Sequence, residues 1–207
     1  MLRYYRHTLP FLAERVMNKL PLILLCTLLA LAVWNDLRTR RIPNLLVFGG
    51  AVLGIALNSL YPEGAGLFIT PQGGIGLLWS LAGLATGLGM LLPMYAMRAL
   101  GAGDVKLMAM VGAFIGPLAV AISVVLTLLA GGVLAIAVAA WTGRLRAMLH
   151  NTYHMGVYAF MRSLGGGLAK IEAPAEASGR LPYAVAIAAG TLPYLVWGAW
   201  RGKALFS

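Results

Sequence analysis

The chain has 207 residues, 60% apolar and 11% charged, against roughly 25% charged in an ordinary soluble domain. A mean hydropathy of +0.84 argues against a soluble fold, and apolar runs that are continuous rather than alternating predict an all-α, polytopic membrane protein instead of a barrel. The net charge of +10 sits between the apolar runs, without a basic stripe interleaved with aromatics, so it reads as loop charge and not as a nucleic-acid surface.

Residues 1–19 mix Arg3, Arg6, Arg15 and Lys19 with Tyr4, Tyr5, Phe11 and Leu12, the composition of an interfacial amphipathic segment. No small-residue cleavage site precedes Asp36, which argues against a signal peptide; a start at Met17 is the alternative, leaving most of this segment as an annotation artefact. From Leu20 to Trp34 there is no charge, a run shorter than the roughly 20 residues of a spanning helix. The helix must borrow from a flank, and borrowing forward brings Asp36 to the membrane edge.

Five further spans are expected at about 43–60, 74–97, 105–116, 118–141 and 181–200, giving about six transmembrane helices in one membrane-embedded domain over 20–207. A weakly polar loop with Pro62, Glu63 and Pro71 precedes the third. The fourth is short and is closed by Gly116-Pro117, a pair that ends or kinks a helix. Gly50/Gly54, Gly83/Gly87 and Gly112/Gly116 have the spacing that lets helix backbones approach closely, although 26 glycines also produce such pairs by chance. The segment 142–180 is the one sizeable polar loop, with Arg144, Arg146, Arg162, Lys170 and Arg180 around Gly165-Gly166-Gly167. It reads as a solvated cytoplasmic loop, with an anionic lipid or a partner as the alternative.

If 35–42, 98–106 and 142–180 share the cytoplasmic side, that side holds ten of the 16 Lys and Arg residues, as the positive-inside rule favours. Cys26 is the only cysteine, which removes internal disulfides and cysteine zinc clusters. His150 and His154 have helical spacing but no nearby carboxylate, so they read as a solvated pair rather than metal ligands.

The two aspartates, Asp36 and Asp104, both fall at predicted helix ends, and the two spans between them return them to one face. Ionisable groups at membrane depth are costly and usually functional. Asp104 has a competing role as a helix cap over Val105-Lys106-Leu107-Met108. Asp36 fits a cap less well, since a carboxylate near a helix C-terminus opposes the dipole; Arg38 or Arg40 would then neutralise it. Two carboxylates held together share a proton, so one polarises a scissile carbonyl while the other activates water, without a metal. Gly101-Ala102-Gly103 leaves room for an extended substrate backbone and offers glycine's wider backbone freedom. Lys106 suits either an acidic substrate side chain, the charge of the dyad, or simple snorkelling.

The block Asn35-Asp36-Leu37-Arg38-Thr39-Arg40-Arg41-Ile42-Pro43-Asn44 resembles the Asp-x-Arg-x-x-x-Ile-Pro-Asn signature of the type IV prepilin peptidases, and Gly101-Ala102-Gly103-Asp104-Val105-Lys106-Leu107 resembles their Gly-x-Gly-Asp-x-Lys-Leu signature. Leu181-Pro182-Tyr183-Ala184-Val185-Ala186-Ile187-Ala188-Ala189-Gly190 resembles the opening of that family's last helix. The resemblance implies a polytopic Gly-x-Gly-Asp aspartic protease of the bacterial inner membrane with its site at the cytoplasmic face. By it Asp36 and Asp104 are the catalytic pair, while Gly101, Gly103, Lys106, Arg38, Pro43, Asn44 and Pro182 line the active site or bind substrate. It implies a prepilin or pseudopilin substrate with a short basic leader, lipid as the surrounding partner, and no cofactor.

Larger members of that family carry an insert with paired Cys-x-x-Cys motifs and also methylate the new N-terminus; one cysteine and no such insert leave methylation unimplied here. The short form is similar to the peptidases of Flp/Tad pilus systems, with archaeal preflagellin peptidases as relatives in logic. A proton-coupled transporter or channel using the same aspartates, and a non-catalytic pilus assembly factor, are the competing readings.

Overall fold

The computed structural model describes residues 20–68, 73–97, 99–143, 145, 146, 150 and 182–201. The segment 1–19 and nearly all of the loop 142–180 lie outside them, as do Arg98 and His154. Six helices follow in order: α1 (Leu20–Thr39), α2 (Asn44–Leu60), α3 (Leu77–Ala96), α4 (Ala102–Ile115), α5 (Pro117–Trp141) and α6 (Tyr183–Arg201). The fold is all-helical; among the described residues the only extended pairing is an isolated bridge between Glu63 and Gly74.

Local chemistry sets the boundaries. α1 borrows forward, as the short uncharged run requires, and carries Asp36 into its last turn. It closes on Arg40, whose φ of 54° is left-handed and whose N–H donates to the Asp36 carbonyl at 3.0 Å. This is the left-handed cap that usually takes glycine. Pro43, at φ −61° and ψ 130°, is the extended residue from which α2 starts. Gly116 separates α4 from α5 at φ +80° and ψ 176°, a conformation strained for any residue with a Cβ, and Pro117 opens α5 where its missing N–H costs nothing.

α1, α3 and α5 are long and apolar enough to cross a membrane; α2 and most of α6 form shorter apolar helices. The fourth expected span has 14 residues, about 21 Å at 1.5 Å per residue and short of the roughly 30 Å hydrocarbon core. Its surroundings explain why that suffices. α4 contacts each of the other five helices, and Val105 and every residue from Leu107 to Phe114 are buried. Its apolar character all round therefore belongs to the centre of a bundle. Large apolar side chains such as Leu45, Leu78, Leu129 and Trp141 are exposed on the outside, the inverse of a water-soluble surface.

Helices in lipid gain little from apolar burial against each other, so close packing and hydrogen bonds must hold them. All three glycine pairs sit at such contacts. A Cβ on Gly83 would collide with the Gly112 carbonyl, and one on Gly112 with the Gly83 carbonyl, where α3 crosses α4. Gly87 faces the Met108 backbone, and Gly50 and Gly54 receive the Met110 and Phe114 side chains.

The far end of α4 has a polar clamp. The Ala113 carbonyl would ordinarily bond the amide four residues on, but Pro117 has none. Ser80 Oγ donates to it at 2.6 Å and Asn58 Nδ2 at 2.8 Å. Asn58 Nδ2 also donates to the Phe114 carbonyl at 3.1 Å, and its Oδ1 accepts the Ile75 N–H at 3.2 Å. Gly74 and Gly76 N–H groups donate to the Pro62 and Asn58 carbonyls at 2.7 and 3.0 Å, folding the α2–α3 connection back onto the end of α2. α4 is thus pinned at one end and presents Asp104 at the other.

Candidate active site

Asp36 lies in the last turn of α1 and is buried, with 8% of its surface exposed. A carboxylate there opposes the dipole of its own helix. α6 supplies the compensation: the Ala184 N–H donates to Asp36 Oδ2 at 3.2 Å. That amide belongs to the first turn of α6, where N–H groups have no acceptor within the helix and the dipole favours an anion. Of the two cations expected to neutralise it, Arg38 or Arg40, the Arg38 guanidinium lies 4.8 Å over the Trp34 ring, on the exposed side of α1.

Asp104 occupies the first turn of α4, ahead of its apolar run. Its Oδ2 accepts the Gly101 N–H at 3.1 Å; the helix begins three residues earlier than expected, with Gly101 at the N-cap, so Asp104 is not the N-cap over Val105 but reaches back from the first turn to the capping residue's amide. Glycine has no side chain to complete a reciprocal box, so the contact runs one way. Burial pushes the Asp104 carboxyl up to about 6, the Gly101 hydrogen bond holds it back, and the charge of Asp36 adds to the rise. That last effect requires the two carboxylates to lie within electrostatic reach of one another.

The two sequence blocks interlock. Ile42 packs on Gly103, where an added Cβ would meet the Ile42 side chain at 3.4 to 3.5 Å. Lys106 Nζ donates to Asn44 Oδ1 at 3.1 Å and lies 5.3 Å from the centre of the Phe48 ring. The lysine thus ties α4 to the start of α2, and among the described residues it bonds neither carboxylate. Pro43 and Asn44 are exposed at that start, with the Pro43 carbonyl accepting the Val47 N–H at 3.3 Å. Pro182 immediately precedes α6, and its carbonyl accepts the Val185 N–H at 3.1 Å.

The glycines need a correction. Gly101 has φ −79° and ψ 152°, an extended conformation open to any residue, so backbone freedom is not what glycine provides there. A Cβ on Gly101 would stand 3.1 Å from Asp104 Oδ2, and its absence leaves room around the carboxylate.

Sequence reasoning missed two participants. The Ala184 amide is a backbone group, and nothing in its side chain marks it. The Tyr183 ring rests on Gly131 of α5, where a Cβ would come within 2.9 Å of it, and the phenol lies in the field of Asp104. An aromatic at the opening of α6 was visible; its seat 52 positions away was not.

No curated protein and no solved structure matches the chain. A model of the type IV leader peptidase family matches residues 23–136, more than half of the chain, spanning both aspartate blocks and stopping short of α6. With Ile42 seated on Gly103, Asn44 bonded to Lys106 and both blocks inside that match, the chain belongs to the type IV leader peptidase family.

Proposed function

We propose that this protein is an aspartic endopeptidase that removes the short basic leader of a prepilin or pseudopilin at the cytoplasmic face of the bacterial inner membrane. Family membership supports the leader-peptidase role. One observation carries the chemistry: Asp36 is buried in the last turn of α1, and Ile42, just beyond that turn, packs on Gly103 beside Asp104 in the first turn of α4.

Asp104, whose carboxyl burial pushes up, is the acid that polarises the scissile carbonyl. Asp36 is the base that takes a proton from the attacking water, and the tetrahedral intermediate collapses as the departing amine gains a proton. The products are a leader ending in a carboxylate and a mature chain with a new amine. An extended substrate lies along Gly101-Ala102-Gly103, where side-chain bulk is least. The charge count supports a cytoplasmic position for this face, and the short form without Cys-x-x-Cys pairs favours an Flp/Tad-type pilin.

The test is co-expression with a small pilin precursor from the same genome and mass spectrometry of the pilin. Loss of the leader at one peptide bond is expected. An uncut precursor beside normal membrane levels of this protein would refute the reading and favour an assembly factor, in which Asp104 serves only to hold the Gly101 amide.

A further inference from the structure

The first turn of α6 holds a backbone amide on a buried carboxylate of α1. Tyr183 opens that turn. Its ring lies in a notch that exists only because residue 131 is glycine: a Cβ there would stand 2.9 Å from Cε2 and 3.1 Å from the phenol oxygen. Ala184, the next residue, gives its N–H to Asp36. One peptide unit therefore links a ring seated on α5 to a hydrogen bond on a carboxylate of α1.

We propose that Tyr183, seated against Gly131, is a positioning residue that fixes the first turn of α6 so that the Ala184 amide reaches Asp36. This rests on the peptidase reading for its effect on catalysis, but not for its geometry. An amide in a first turn has no acceptor inside its own helix, so the direction of the Ala184 N–H depends on what anchors that turn. The ring supplies the anchor from one side and Asp36 the acceptor from the other. Charged groups that act on this turn include Asp36 from α1, which accepts the Ala184 N–H, and Asp104 from α4, whose charge reaches the Tyr183 phenol. Lys106 is held on Asn44, and Arg38 on Trp34.

Two of the three Tyr183 atoms nearest Gly131, Cε2 and Cζ, belong to the ring, so Tyr183→Phe keeps the seat and kcat, and Tyr183→Ala loses both. Losing a hydrogen bond to a charged group lowers kcat about 10- to 100-fold, with KM little changed. Gly131→Ala, which pushes on the ring without altering any residue of α6, acts in the same direction. These are measured on the full chain in lipid nanodiscs, with prepilin as substrate. Hydrogen exchange of the Ala184 amide is followed in parallel: protected in wild type and Tyr183→Phe, exposed in Tyr183→Ala and Gly131→Ala.

Equal losses in Tyr183→Phe and Tyr183→Ala would overturn the proposal in favour of a hydroxyl acting directly. A rise in KM alone would overturn it in favour of substrate contact. Unchanged exchange at Ala184 in both ring-displacing variants would overturn it outright. If Tyr183→Ala fails to accumulate, Gly131→Ala carries the same readouts. Should wild type cleave nothing, the peptidase reading fails while the exchange measurement still decides this one.

Discussion

Asn58 and Ser80 share one acceptor, and their variants should therefore fail to add. Both are buried, with 1% and 0% of their surfaces exposed, and both donate to the Ala113 carbonyl. A buried neutral hydrogen bond contributes about 1 kcal/mol net, and stranding its partner costs about 1–3 kcal/mol. Ser80→Ala removes one bond but leaves the carbonyl bonded to Asn58, so it costs about 1 kcal/mol. Asn58→Leu, nearly isosteric, removes all three bonds of that side chain and strands the Ile75 N–H, for about 3–5 kcal/mol. In the double variant the Ala113 carbonyl loses both donors, and Pro117 offers it no amide. The double cost should then exceed the sum by about 1 kcal/mol or more. Unfolding of the purified protein in mixed micelles, followed by circular dichroism, measures all three. Additivity within about 0.5 kcal/mol would refute the shared-acceptor account of how α4 is held.

Other consequences follow from the same geometry. Gly83→Ala sets a methyl group against the Gly112 carbonyl and should cost at least about 2 kcal/mol in the same unfolding assay; a loss below about 0.5 kcal/mol would mean the α3–α4 crossing is not this close. Thr127→Val should be neutral or stabilising by up to about 1 kcal/mol, because the Thr127 hydroxyl is buried with no partner among the described residues; destabilisation would reveal a partner bound at the α5–α6 seam. Cleavage should trace a bell against pH. The pair works only with one proton between its two carboxyls, and the alkaline fall comes at about 6, where Asp104 gives up its proton. A rate indifferent to pH across the carboxylate range would contradict the dyad.

The features legible in sequence were those that composition or short spacing expresses. Uncharged runs and proline or glycine breaks gave helix limits close to those observed, and the position of Asp36 followed from the shortness of the Leu20–Trp34 run. Both aspartate blocks were readable because their residues are contiguous. What the blocks do to each other was not: Ile42 on Gly103 and Asn44 on Lys106 join positions some 60 apart. The depth of α4 was also hidden, because an apolar helix surrounded by helices has the same composition as one surrounded by lipid. The glycine pairs gave no more than a possibility from spacing, and only the partner helices reveal that each is used. Asn58 carried no signal at all, since the carbonyl it serves is orphaned by a proline on another helix.

The central claim is that Asp36 and Asp104 together carry out hydrolysis. Asp36→Asn and Asp104→Asn, each reconstituted at wild-type abundance and incubated with prepilin, test it most directly by the rate at which leader is released. The account predicts cleavage by wild type and loss of about 1000-fold or more in either variant, since neither carboxyl can take the other's role in proton transfer. Full cleavage by either variant would contradict it.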